Sequence, residues 1–234
     1  MGQKPVNIVT VLWEGSFRGR DYCPEDVSNL RRMVLKALSR HNPRFYCLTN
    51  SRTFLDGVQM IKLKCPDQLI GWWSKLELFR KDITFWKNET GVYLDLDTFV
   101  TGDLSEMIDF VNDFNSYDLF FCPQKWGASG PGVVRKFQSS MIIWKQGSVF
   151  INIDKLMEGD YYKKVLNRYR GDQDFFGVVF GNKADSFPEE WFCKLKECYK
   201  HGPNPPVKVV LGNPKTQYRK AFEECDWVKE LIQC

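Results

Sequence analysis

No stretch of the chain approaches the about 18 uninterrupted apolar residues that a membrane-spanning helix needs, so no such helix is expected. A signal-peptide core is also lacking: Met1-Gly2-Gln3-Lys4-Pro5 runs straight into a strand-like segment, which predicts cytoplasmic residence without a membrane partner. Lipid anchors are not supported, because Val6 stands where a myristoylation site wants Ser or Thr and Leu231-Ile232-Gln233-Cys234 is no prenylation box. The eight cysteines form no C-x-x-C pairs, which argues against zinc and for reduced, structural thiols. Asn88-Glu89-Thr90 is then an idle glycosylation sequon. No repeat or low-complexity linker divides the 234 residues, so one domain is expected. The formal charge of +4 is too slight to demand nucleic acid, yet it permits an anionic ligand.

What is present is a core-forming composition, 43% apolar and 15% aromatic, with strand and helix patterns in alternation. Strands are predicted at Val6 to Trp13, Phe45 to Thr49, Val58 to Leu63, Gly91 to Val100, Asp118 to Pro123, Met141 to Trp144 and Val207 to Leu211. Pro24, Glu25 and Asp26 suit a helix's first turn, after which Val27, Leu30, Val34 and Leu38 recur at helical spacing. A second helical pattern runs through Leu69, Trp72, Leu76, Phe79 and Ile83, which puts Lys75 and Glu77 off the apolar stripe and within reach of a ligand. Asp154 to Tyr169 and Asp172 to Phe180 read as further helices. Pro123 to Val134, rich in breakers around Trp126, reads as a surface loop of the lid type. The class is α/β.

The most informative segment is Tyr93-Leu94-Asp95-Leu96-Asp97-Thr98-Phe99-Val100, an apolar strand that exits through Asp-x-Asp. Buried strands tolerate unpaired carboxylates badly, so two at one exit point to a divalent cation or a phosphate-bearing ligand. Strands also end in Asp simply to form a turn. Two chemistries compete for the motif. An aspartyl-phosphate phosphatase normally carries it at the start of the chain, whereas here about ninety residues precede it. A glycosyl transferase places a nucleoside-binding α/β half in front of it, and position favours this reading.

Taken in order, the blocks resemble the GT-A-fold glycosyltransferases, near the small bacterial and phage proteins of the family-8 and family-32 retaining type. Ile8 to Trp13 looks like the family's first strand, with Tyr22 and the helix from Pro24 following; Phe45 to Asn50 resembles its second. Gly71 to Phe79 stands where a helix delivers a basic residue, and Tyr93 to Val100 with Gly102-Asp103-Leu104 is similar to the metal strand and its turn. Ser139 to Trp144 resembles the strand beside the donor sugar, and Gly171-Asp172-Gln173-Asp174 the segment that reaches the sugar ring.

The resemblance implies a single GT-A (Rossmann-like) domain with a mixed central sheet flanked by helices, residues 1–100 forming the nucleotide half and 101–234 the donor-sugar and acceptor half. It implies a nucleoside-diphosphate sugar donor, a UDP-sugar, and Mn²⁺ or Mg²⁺ held by Asp95 and Asp97. Val11, Leu12, Trp13, Tyr22, Lys75, Asp95 and Lys215 would meet the nucleotide. Gln173 and Asp172 would serve a retaining reaction; Asp172 or Asp174 would be the base of an inverting one. Asp172 also suits a helix N-cap. Trp72, Trp73 and Trp126 could stack on sugar, although adjacent tryptophans more often pack a helix onto a sheet.

One departure stands out: the family's closing His-Gly-x-x-Lys-Pro-like segment is here Leu211-Gly212-Asn213-Pro214-Lys215-Thr216, so the third metal ligand is a leucine. His201 is the nearest imidazole in sequence. A glycan, a small molecule and a hydroxymethylated DNA base are all acceptors open to this chain, and Arg31, Arg32, Lys36 and Arg40 could form a basic helix face for the last. The alternatives are a non-catalytic nucleotide-sugar binder with a degraded metal site, and an Asp-x-Asp phosphatase.

Overall fold

The structure is a computed structural model that describes residues 4–17, 22–83, 89–114, 116–124, 137–145, 153–212 and 215–233. Its strands are β1 (Lys4–Leu12), β2 (His41–Thr49), β3 (Gln59–Lys62), β4 (Gly91–Leu94), β5 (Thr98–Val100), β6 (Leu119–Pro123), β7 (Phe137–Trp144), β8 (Ala184–Ser186), β9 (Phe192–Lys194) and β10 (Val209–Leu211). Its helices are α1 (Pro24–Ala37), α2 (Leu104–Asp113), α3 (Ile153–Met157), α4 (Tyr161–Arg168), α5 (Asp172–Phe180), α6 (Leu195–Cys198), α7 (Lys215–Glu224) and α8 (Asp226–Ile232).

Seven strands make the main sheet in the order β3-β2-β1-β4-β7-β6-β8, and β5-β10-β9 make a second. β1 pairs in parallel with β2 and β4, while β7 runs antiparallel between β4 and β6. The sheet is therefore mixed, with helices on its faces, as the α/β patterning predicts. β1 is buried on both faces because parallel strands are covered on both sides. Val6, Ile8 and Leu12 belong to one core, packed under α1, α2 and the second sheet. Val9, Tyr46 and Tyr93 belong to the other, under the 71–79 segment and α5.

In α1, Pro24 begins the helix after the Cys23 N-cap, and Val27, Leu30, Met33 and Val34 are fully buried. Its buried Asp26 accepts from the Cys23 N–H and pairs with Arg219 of α7 at 2.6 Å. In α5, Phe176 and Phe180 are fully buried one turn apart, and such burial contributes about 1.5–3 kcal/mol per side chain. That anchoring holds the N-terminus of α5 where Asp172 must sit.

Three expectations are corrected. Gly91 to Val100 is not one strand: β4 and β5 lie in different sheets, and the chain turns through Asp95-Leu96-Asp97, where the Thr98 N–H meets the Asp95 carbonyl at 3.2 Å. The 154–169 helix is broken into α3 and α4 beside Gly159, whose φ of +54° only glycine adopts readily. The helix through Leu69 to Ile83 is a nine-residue 3₁₀ segment, Gly71–Phe79, and its period of three rearranges the stripe. The 123–134 loop lies largely outside the described residues. The seven described cysteines are free thiols. No helix among the described residues is long and apolar enough to cross a membrane.

Candidate active site

A pocket of about 650 Å³ opens at the carboxyl ends of β1 and β4. The chain passes from β1 to β2 on one side and later to β4 on the other, so these two strands bound a topological switch point, where open α/β sheets bind ligands. β7 runs the opposite way, which brings its first residues to the same rim: the Asp95 N–H donates to the Ser140 carbonyl at 2.8 Å.

In a 3₁₀ segment residues three apart eclipse, so Trp72 and Lys75 share the pocket column while Trp73, Leu76 and Phe79 form the buried one. Lys75 is 4% exposed, in contrast to the accessible position its sequence context predicts. Its ammonium lies 2.8 Å from Asp95 Oδ1 and 3.0 Å from Asp172 Oδ2. It also donates to the Ser139 carbonyl at 3.2 Å and Ser139 Oγ at 3.1 Å. Ser139 passes its own hydroxyl proton toward Asp172, and the Tyr93 phenol donates to Asp95. Burial pulls the ammonium's pKa down, but the carboxylates of Asp172 and Asp95 outweigh it and hold Lys75 above its ordinary value. Two carboxylates against one ammonium leave a formal excess of one negative charge, and it faces the cavity through Asp95, whose side chain is 24% exposed.

Asp95 and Asp97 both line the pocket from the turn between β4 and β5, with Leu96 between them buried at 2%. Asp97 belongs to the opposite wall. The Tyr22 hydroxyl donates to its Oδ2 at 2.9 Å, and burial followed by the charge of Asp97 raises that phenol's pKa. The Gly212 N–H donates to the Asp97 carbonyl at 2.7 Å. A Cβ on Gly212 would stand 2.5 Å from that oxygen, so only glycine fits. Leu211 lines the pocket beside it and carries no donor for a metal. In the second sheet Leu211 is in register with Thr98 on one side and Lys194 on the other, and Lys194 lines the pocket too.

No family model matches the chain, and no curated protein is similar to it in sequence. Its structure is similar to that of the galactosyltransferase LgtC, solved in complex with donor and acceptor sugar analogs: TM-score 0.57, 13% identity, 97% of each chain covered. The fold is that of the GT-A glycosyltransferases. It is also similar to the glycosyltransferase GlyE of Streptococcus pneumoniae TIGR4, with TM-score 0.52 and 15% identity over 98% of this chain and 62% of that one. A third likeness is to the bifunctional glycosyltransferase WbbM, with TM-score 0.53 and 13% identity over 98% of this chain and 51% of that one.

Within this GT-A fold the pocket gathers Val11, Trp13, Tyr22, Lys75, Asp95, Asp97, Asp172 and Gln173 from the residues expected of it. Leu12 is not among them: strand alternation turns it, fully buried, into the core under α1. Asp174 does not line the pocket either; the turn of α5 carries it away, and its Oδ2 accepts the Arg170 N–H at 3.3 Å. Gly171, not Asp172, is the N-cap of α5. Glu77 is fully buried, with its carboxylate on Arg80 and on the Lys64 and Cys65 N–H groups, so it is not open to a ligand. Trp72 lines the pocket and Trp73 is core. His201 is exposed and outside the pocket lining. The Lys215 side chain and Trp126 lie outside the described residues.

Sequence reasoning missed Ser139, Arg170 and Lys194. Ser139 begins a segment already singled out, Ser139 to Trp144, without having been given a role of its own, and Arg170 adjoins another, Gly171 to Asp174. Lys194 carried no signal, because its arrival depends on the pairing of β9 with β10.

Proposed function

We propose that this chain is a glycosyltransferase that moves a sugar from a nucleoside-diphosphate sugar, a UDP-sugar, to an acceptor with retention of configuration. The observation that carries the reading is Lys75: one buried ammonium joins Asp95 at the β4 exit to Asp172 at the start of α5, in a pocket at the switch point of a GT-A fold. We take the chain as one domain, with residues 1–100 holding the nucleotide and 101–234 the sugar and acceptor. We place the reaction in the cytoplasm, of a bacterium or of a phage's host.

Departure of the diphosphate leaves oxocarbenium-like positive charge on the sugar. The negative excess of the Lys75 cluster lies at the pocket where that charge develops, and the cluster is held by internal bonds before substrate arrives. Gln173, on the same turn as Asp172, offers its side-chain oxygen to the sugar. Asp172 is committed to Lys75 and Ser139, which makes it a poor base and favours retention over inversion.

Asp95 and Asp97 suit Mn²⁺ or Mg²⁺, hard ions that accept one or two carboxylates and complete their shell with water and phosphate oxygens. No group of three or more His, Cys, Asp and Glu that could hold a metal occurs among the described residues, in keeping with leucine at position 211. Such an ion would neutralise charge on the leaving diphosphate.

Arg31, Arg32, Lys36 and Arg40 are engaged with Gly57, Asn29, Glu230 and the Asp103–Asp109 pair. That favours a glycan or small-molecule acceptor over a hydroxymethylated DNA base.

The test is release of nucleoside diphosphate from UDP- and GDP-sugars with Mn²⁺, Mg²⁺ or EDTA. Turnover of one donor that Asp97→Ala abolishes is the expected result. Binding without turnover would leave a nucleotide-sugar binder, the reading that Leu211 favours. Hydrolysis of phosphomonoesters with indifference to sugar nucleotides would make the protein a phosphatase.

A further inference from the structure

β7 does not run evenly beside β6. Phe121 is in register with Ile142, but the next residue, Cys122, is in register with Gln138 rather than Met141, so Ser139, Ser140 and Met141 are extra to that pairing. A bulge of this kind bends a strand and re-aims its side chains. The bulged residues stay attached to the other neighbour, β4: Met141 is in register with Leu94, and the Ser140 carbonyl accepts the Asp95 N–H at 2.8 Å. The bulge is thus moored to the Asp-x-Asp turn, and it delivers Ser139 to the Lys75 cluster.

Ser139 is 1% exposed and outside the pocket lining, whereas Gln138 and Ser140 on either side of it line the pocket. Its hydroxyl joins two charged groups at once. Lys75 donates to Ser139 Oγ at 3.1 Å, and Ser139 Oγ donates to Asp172 Oδ2, the oxygen that Lys75 also meets at 3.0 Å. Lys75 comes from the 71–79 segment, Ser139 from β7 and Asp172 from α5, so three elements close one ring of contacts. A single bond leaves a carboxylate able to turn about its Cβ–Cγ axis, whereas two donors from different elements fix it. Lys75 alone is a poor guide, because an ammonium is a point charge on a flexible stem. The same construction serves the other carboxylate, where Asp95 Oδ1 receives both Lys75 and the buried phenol of Tyr93.

We propose that Ser139 is a positioning residue for sugar transfer: its hydroxyl fixes Asp172 where the donor sugar is met, and the nucleotide is held without it. The inference rests on the glycosyltransferase reading above. Because Ser139 acts through Asp172, its loss is felt in the step that involves the sugar, while a free nucleoside diphosphate, which carries no sugar, binds as before. Placement of this kind acts steeply on rate, since a shift of about 1 Å can cost about a hundredfold.

The experiment joins two measurements on the full chain. One is steady-state release of nucleoside diphosphate, per folded molecule, from the UDP- or GDP-sugar that wild type turns over; the other is calorimetric titration of the matching UDP or GDP. Ser139→Ala should lower kcat about tenfold, the loss of one hydrogen bond to a charged group, and leave the nucleotide Kd within about twofold. Ser139→Cys keeps the shape with a weak donor, should lose turnover alike, and is read in the same way if the alanine variant does not fold. Ser139→Thr keeps the hydroxyl and should keep most of the rate. Wild-type kcat in Ser139→Ala or Ser139→Cys would overturn the assignment of Ser139, as would a nucleotide affinity that falls as far as kcat, or a threonine variant as slow as the alanine one. Each of these leaves the glycosyltransferase reading intact. Failure of wild type to turn over any donor would overturn both.

Discussion

Two buried charge clusters sit two residues apart in the 71–79 segment, and only one faces the pocket. Glu77 and Arg80 pair at 2.6 Å with side chains 0% and 5% exposed, and the Glu77 carboxylate also accepts from the Lys64 and Cys65 N–H groups at 2.7 and 2.8 Å. Arg80 also meets Asp82 at 3.2 Å and Asp82 meets Lys64 at 3.2 Å, so that cluster matches two carboxylates with two cations, and it fastens the turn after β3 to the segment. The Lys75 cluster is buried at Lys75 and Asp172 but open at Asp95; it sets two carboxylates against one ammonium and turns the surplus toward solvent space. Burial of charge therefore does not mark a functional site by itself. An unbalanced charge beside a cavity does, because a ligand must complete it.

The sharpest way to break the comparison is Lys75→Met. Removing the ammonium leaves Asp95 and Asp172 facing each other in a buried place, and loss of one partner from such a pair costs about 3–5 kcal/mol. Donor turnover should vanish as well, because both carboxylates must move apart or take up protons. Urea unfolding and nucleoside-diphosphate release check the two effects. The wild-type cluster also has an alkaline limit. Because the Lys75 pKa is raised in the folded state, its contribution is complete below the unfolded value of 10.5 and fades as pH climbs through the folded one. Lys75→Met should lack that component of the alkaline loss.

Glu77→Gln is the counterpart. It leaves Arg80 with only the half-exposed Asp82 as carboxylate partner and should destabilise by about 3 kcal/mol, the same class of effect. Affinity for UDP per folded molecule should not change, since Glu77 does not line the pocket. Weakened UDP binding at unchanged stability would erase the distinction between the two clusters.

Why the two could not be told apart beforehand is a matter of helical period. Lys75 and Glu77 read alike in an α-helical stripe, whereas a 3₁₀ turn sends them to different neighbours. Elements whose burial repeats locally were legible: β1, α1 from Pro24, and α5 at its observed bounds of Asp172–Phe180. The Asp-x-Asp turn was legible as a ligand site because its chemistry is local. The second sheet was only partly so, since β5, β9 and β10 are three residues each and exist by pairing, β5 with β10 across more than a hundred residues of chain and β9 with β10 across a shorter loop. Lys194 and Leu12 follow from that limit: the first needs the register of β9, the second the face on which α1 lands.

The smallest effect sharpens the contrast between the two carboxylates of one turn. Asp95 is tied to Lys75, and its removal from that network disturbs a buried charge. Asp97 receives a phenol from Tyr22 at 2.9 Å, a neutral donor on a partly exposed group. Tyr22→Phe deletes that hydroxyl and keeps the ring, so the cost should be a single hydrogen bond, about 1 kcal/mol. Asp97 lines the pocket, and a carboxylate that loses a neutral donor becomes a better ligand for a cation. Thermal unfolding should therefore fall slightly while Mn²⁺ affinity, followed by electron paramagnetic resonance of the free ion, holds or rises. A marked loss of Mn²⁺ affinity would mean that the phenol orients Asp97 for the metal, and the two carboxylates would then be held with equal strictness.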